Sequence, residues 1–266
     1  MAIAAVSCNP ESKPLYQVIG SLEGTITPHL VGPDGARYTI AAGGQYLQKM
    51  PDDLFRSRAE YIFHTVDETK PGIDDRVNIE LIGMTLLPTC EPAEWGSIDY
   101  DDPVLLPNIS LNSADIEGLT PGIATSMNYL DMYLFHVMYR KNAASNEMYA
   151  PVKASLEVDP EIIPAQTSGA CDTIRMVLKF DNNRADSEKI ANAYGPILSR
   201  YSFDLEASTM PSFPKTENGE NKMYIIKMAY QAYDDVRNWD DDEIVTRTVT
   251  TKWVPNDPYW KGDYSK

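Results

Sequence analysis

Residues 222–254 constrain the fold more than any other stretch of the chain. In residues 223–233 the even positions Tyr224, Ile226, Met228, Tyr230 and Ala232 are apolar, while the odd positions include Lys227 and Gln231. Side chains of a strand alternate faces with period two, so this pattern predicts a half-buried strand. Residues 243–253 follow, dense in Val, Ile and Thr, whose branched side chains are stiff and favour extended backbone. Between them lies Asp234-Asp-Val-Arg-Asn-Trp-Asp-Asp-Asp242, too polar for a strand interior. The three segments together predict a long β-hairpin with a polar tip.

The same reading extends along the chain. Gly32-Pro-Asp-Gly35 is a turn signal, with proline second and glycine fourth. Residues 58–66 and 76–87 predict a second hairpin around another acidic tip, since Val77, Ile79 and Leu81 alternate with Arg76, Asn78 and Glu80. Residues 129–139 are the most apolar segment; periodicity does not decide between buried strand and buried helix, and Tyr, Phe and Val on one parity favour strand. Ile174, Met176, Leu178 and Phe180 share one parity, which predicts a strand over 172–180, and residues 199–207 predict another. Two short helical elements are expected: a single turn at 51–57, opened by Pro51, and a helix at 186–194, capped by Asp186 or Ser187 and stopped by Gly195-Pro196. Residues 88–125 carry Pro88, Pro92, Pro103, Pro107 and Pro121, and read as a long irregular excursion, because proline removes ladder donors.

These elements predict a mainly β fold: an antiparallel sandwich, jelly-roll-like, or a barrel, with one or two short helices and long irregular loops. One β-rich domain is expected over 15–254, flanked by an N-terminal arm, 1–14, and a C-terminal arm, 255–266. Hydrophobic residues make up 43% of the 266, enough for a substantial core.

Charge and motifs then narrow the function. With 39 acidic against 23 basic residues, the net charge of −16 disfavours nucleic acid and anionic membrane surfaces as partners. Cys8, Cys90 and Cys171 are too few and too scattered for a disulfide framework. No stretch has the length of a membrane span or the pattern of a signal peptide, so synthesis and retention in a cytoplasm, or incorporation into a virion, is expected. Searches for G-x-S-x-G, a phosphate-binding loop, H-E-x-x-H and C-x-x-C find nothing. His29, His64 and His136 lie in separate segments, and His136 is expected in the core. Acidic groups at Asp99, Asp101 and Asp102, at 240–243, and at 181–186 lack the calcium-loop template and read as solvated turns. Asn108-Ile-Ser110 is a glycosylation sequon without a secretion signal beside it.

No catalytic residue, cofactor or metal is therefore expected. A β body with aromatic arms suits a structural self-assembly protein, a virion component such as a capsid or tail subunit, whose partners are copies of itself or other structural subunits. Trp95, Trp239, Tyr259 and Trp260 are the candidate interface residues. Two alternatives stand behind this expectation: a carbohydrate- or ligand-binding β module with those rings as platforms, and a hydrolase with an acid pair borne on the 88–125 excursion.

Overall fold

A computed structural model describes residues 15–23, 29–32, 36–47, 58–66, 76–87, 89–108, 122–126, 128–139, 152–167, 169–182, 193–213, 220–235 and 243–255. The described residues are organised as a barrel followed by two stacked sheets. The barrel consists of β1 (Tyr16–Glu23), β2 (His29–Val31), β3 (Arg37–Ala42), β4 (Arg58–Thr65) and β5 (Val77–Leu86), hydrogen-bonded in the order β1-β2-β3-β5-β4 and closed between β4 and β1. The β3–β5 pair is parallel and every other pair antiparallel, the connectivity of an OB-type barrel. Its interior is filled by Val18, Leu30, Ala59, Tyr61, Phe63, Ile79 and Leu81. The ring is tight. A Cβ on Gly20 would stand 2.5 Å from the Val31 carbonyl oxygen, so β1 and β2 approach closely only because that position is glycine.

The remaining strands are β6 (Thr89–Cys90), β7 (Ala93–Glu94), β8 (Leu106–Asn108), β9 (Ala124–Ser126), β10 (Tyr129–Tyr139), β11 (Lys153–Val158), β12 (Asp172–Asp181), β13 (Ala193–Asp204), β14 (Tyr224–Tyr233) and β15 (Ile244–Trp253). The middle sheet runs β6-β13-β10-β8, with β9 also on β10; the outer sheet runs β15-β14-β12-β11-β7. The predicted hairpin of residues 222–254 is β14–β15, ten pairs in unbroken antiparallel register from Tyr224↔Trp253 to Tyr233↔Ile244. Its polar tip, 236–242, lies outside the described residues.

Parity explains the layering. Even residues of β12 and β14, from Ile174 to Phe180 and from Tyr224 to Tyr230, turn inward and pack with Leu130, Met132 and Leu134 of β10 and with Tyr201 and Phe203 of β13. Odd residues of β10 turn the other way: Tyr133 packs with Ile19 and Leu87 of the barrel region. The middle sheet is thus covered on both faces, and nine of the eleven β10 residues are fully buried. A strand buried on both sides loses its alternation of polar and apolar residues. This is why the 129–139 sequence could not by itself exclude a helix; the structure makes it a strand throughout.

The fold is mainly β, with barrel and sandwich both present. Departures from the expected elements concern the short ones. The helix expected over 186–194 is not found at its end, because Ala193 already pairs with Tyr139 and Tyr194 lies within β13; its earlier residues, like the turn expected at 51–57, lie outside the described residues. The one described helical element is a 3₁₀ turn, Gly44–Tyr46, entered through Gly43 at φ 84°. A Cβ at Gly43 would meet the Leu81 carbonyl oxygen at 2.0 Å, so this position needs glycine for both its backbone angle and its space. The excursion at 88–125 holds short strands, β6 to β9, that the prolines concealed. Pro107 sits in β8, a three-residue strand at the margin of the middle sheet, where a missing donor is tolerated.

Candidate functional site

Two polar regions stand out, one buried and one open. The buried one joins barrel to middle sheet. Arg58 of β4 is fully buried; it donates to the Ser21 hydroxyl at 2.9 Å and to the Asp131 carboxylate of β10, and lies 4.7 Å from the centre of the Tyr129 ring. Asp131 also accepts the Ser202 hydroxyl at 2.7 Å. Beside this pair, Arg200 of β13 donates to buried Glu60 at 2.7 Å. Burial pushes the Tyr61 and Tyr133 phenols far above their ordinary range, the Glu60 carboxylate adding to the effect at Tyr133. With Arg58, Glu60 and Asp131 all buried, the arrangement locks two packed layers.

The open region is the outward face of the outer sheet. Because β11, β12, β14 and β15 spend one parity on the core, the other parity is presented outward: Ser155 and Glu157; Thr173, Arg175, Val177 and Lys179; Ile225, Lys227, Ala229 and Gln231; Thr246, Thr248, Thr250 and Lys252. Register brings Lys227 opposite both Arg175 and Thr250, and Ile225 opposite Lys252. Glu157 is buried and accepts the Ile98 backbone N–H at 2.7 Å, and Lys179 pairs with Asp101 at 3.0 Å. Lys227 has no partner among the described residues. A chain of net charge −16 therefore gathers Arg175, Lys227 and Lys252, with a ladder of threonines, on one flat face.

Trp95 closes one side of this face. It follows β7, the far strand of the sheet, and is 45% exposed. The Arg175 guanidinium lies 5.8 Å from its ring centre while also binding the Asp159 carboxylate. Exposed Ile163 pairs with Thr173, two residues along β12 from Arg175. Trp239, Tyr259 and Trp260, the other candidate interface residues, lie outside the described residues.

Other sequence candidates resolve into structure. His136 is fully buried between Ser199, which its Nε2 meets at 2.8 Å, and the Phe180 ring; burial holds its pKa down at about 4. Asp102 accepts the Asn182 backbone N–H at 3.0 Å, so Asp101 and Asp102 are both engaged in tying the excursion to β12. Burial raises the Cys90 thiol above its ordinary range, away from reactivity. An open depression of about 410 Å³, lined by Leu205, Met210, Phe213 and Trp253 among others, gathers aromatic edges and no cluster of titratable groups. What sequence reasoning missed is the shared cationic face. Lys227 was visible as an outward residue, but its juxtaposition with Arg175 depends on a parallel pairing between strands far apart in the chain.

No family model and no curated protein matches the chain. Solved structures do. An immunity protein of NigD-like type from Bacteroides caccae aligns with a TM-score of 0.53 and 16% identity over 90% of this chain and 94% of its own. A protein named as a lipoprotein from Bacteroides fragilis aligns with a TM-score of 0.54 and 9% identity over 91% and 100%. A protein described as toxin-related from Parabacteroides distasonis aligns with a TM-score of 0.52 and 14% identity over 91% and 94%. At these identities the likeness is one of fold.

The virion expectation is corrected by this finding. The architecture that suggested a capsid or tail subunit is that of bacterial proteins named for immunity, lipid attachment or toxin relation. The reasoning failed because a β body without catalytic motifs suits any protein that acts by contact, and the arms that pointed to shell assembly, 1–14 and most of 255–266, lie outside the described residues. None of the three neighbours carries an enzyme's name. No helix among the described residues is long and apolar enough to cross a membrane.

Proposed function

We propose that this chain is a bacterial binding protein of the immunity type, which acts by stoichiometric contact with another protein rather than by catalysis. The observation that carries the reading is the outer face: Arg175, Lys227 and Lys252 beside exposed Trp95, in a chain whose net charge is −16. Cations on this threonine-lined face offer a site for a group of opposite charge, and tryptophan and arginine are among the residues enriched in energetically dominant contacts. Screening at physiological salt limits each charge to about 8 Å, so the local patch acts independently of the distant acidic surface. The immunity-protein neighbour, aligned over 90% of this chain, adds support from fold analogy. A lipoprotein among the neighbours favours the cell envelope as the place of action, which fractionation of the native bacterium tests directly.

Cross-linking in extracts of the bacterium that makes the protein tests the reading. The wild type is expected to yield one protein partner in stoichiometric amount, and a variant carrying Arg175→Gln and Lys227→Glu to lose it while still unfolding cooperatively. Equal recovery by wild type and variant would overturn the assignment of the face.

A further inference from the structure

The free margin of the outer sheet is β15, and its backbone groups can be sorted. In an antiparallel pair, opposed residues alternate between bonding each other and pointing away. Asp234 N–H donates to the Glu243 carbonyl at 3.0 Å, so the odd residues of β15 face β14. Consistently, Gln231 and Tyr233 of β14 bond Val104 rather than β15, and the Lys252 carbonyl accepts the Thr125 hydroxyl at 2.5 Å from outside the pair. The N–H and C=O groups of Ile244, Thr246, Thr248 and Thr250 therefore point off the edge of the sheet, and none of them has a partner among the described residues. Natural edges are blunted by proline, bulges, brevity, charges or a covering segment. This one has ten residues, no proline or glycine and no register shift, and of those devices it carries, among the described residues, only the charges of Arg247 and Lys252.

We propose that β15 is an acceptor edge, to which an extended, carboxylate-bearing segment of a protein partner adds as the next strand of the outer sheet. The inference rests on the protein-binding reading above and names the form of the contact. Strand addition draws affinity from main-chain hydrogen bonds and selectivity from alternate side chains. An added strand along residues 244–250 would set every second side chain beside Thr246, Thr248 and Thr250, stopping short of Lys252, whose carbonyl β9 already holds, with Lys227 one strand further in. Carboxylates at those positions meet cations. A second copy of this chain is the poorer occupant, because its own edge strand presents Thr246, Thr248, Thr250 and Lys252 on that face and no carboxylate.

The probes are two labelled peptides as long as β15, one alternating valine with glutamate, the other valine with lysine, read by fluorescence anisotropy. The valine–glutamate peptide is expected to bind the wild type and to bind Lys227→Glu/Lys252→Glu more weakly. Thr248→Pro deletes an outward N–H without touching the β14 ladder, and is expected to weaken binding about tenfold, while Thr248→Val, which keeps that N–H, binds as wild type. Peptide binding is also expected to slow amide exchange at Thr246, Thr248 and Thr250 in the wild type, a readout that needs no variant. Absence of binding, equal binding of the valine–lysine peptide, or unslowed exchange at those amides overturns the proposal. So does a wild-type dimer in solution that Thr248→Pro dissociates, which would make a second copy the occupant. If cross-linked partner recovery depends on Arg175 and Lys227 but not on Thr248, the edge inference falls and the binding reading stands.

Discussion

Arginine meets aspartate on both sides of this protein, under opposite conditions. Between barrel and middle sheet the Arg58 side chain is 0% exposed and its partner Asp131 5%. On the outer sheet Arg175 is 47% exposed, while the Asp159 it holds is buried like Asp131, at 5%. A buried pair has surrendered its water, so removing either member leaves a charge with nothing to balance it; an exposed arginine keeps solvent as an alternative partner. The first therefore fixes how two layers sit together, whereas the Arg175 guanidinium of the second stays within reach of solvent. The same chemistry thus serves architecture in one place and, on the reading proposed above, is open to contact in the other; the burial of the arginine decides which.

Breaking the inner pair should produce the largest effect. Asp131→Ala strands Arg58 and the Ser202 hydroxyl, and is expected to cost about 3–5 kcal/mol in chemical denaturation. Replacing Arg58 by Met together with Asp131 by Leu should recover much of that loss, which would show that the cost lies in the unpaired charge. Next comes His136, on the buried side. Its folded pKa of about 4 lies below the ordinary 6.5, so the unfolded chain takes up the proton first as pH falls. Stability is fully present above pH 6.5 and is lost between there and pH 4, by about 3 kcal/mol for a group this buried. Measured unfolding free energies should show this slope, and His136→Phe should flatten it. On the outer face the same measurements should respond less. Arg175→Gln, which leaves the buried Asp159 carboxylate without its ion pair, is expected to cost about 1–2 kcal/mol, and Lys227→Glu no more than about 0.5 kcal/mol, while both alter partner recovery. Trp95→Ala should be the mildest for stability, at a few tenths of a kcal/mol, because its ring is 45% exposed and loses little buried area. A large destabilisation from any outer-face substitution would erase the contrast.

The sequence shows the outer sheet better than the inner contacts, and the reason is physical. Strands β12, β14 and β15 bury one face, so their period-two pattern stands in the residues themselves, and the β14–β15 hairpin lies within a residue of its expected limits at each end. Strand β10 buries both faces and keeps no such pattern. Arg58 and Asp131 are 73 residues apart, and nothing local marks them as partners. Parallel pairings of β3 with β5 and β12 with β14 close the barrel and assemble the cationic face, yet each joins strands separated by other elements. At residues 186–194 local propensity favoured helix, but Ala193 and Tyr194 already belong to the long strand that pairs with β10; tertiary pairing overrode the helix signal there. Trp95 was read from the sequence as a contact residue and is found exposed beside Arg175, whereas the β15 edge, at the opposite end of the sheet, depends on knowing which strand comes last.

Residue-resolved amide exchange of the free protein tests the contrast between sealed interior and open rim most directly. Amides along β10 are expected to exchange only through global unfolding. On β15 protection should alternate, with Val245, Arg247, Val249 and Thr251 slow and Thr246, Thr248 and Thr250 fast. Uniform protection along β15, or fast exchange in the middle of β10, would contradict it.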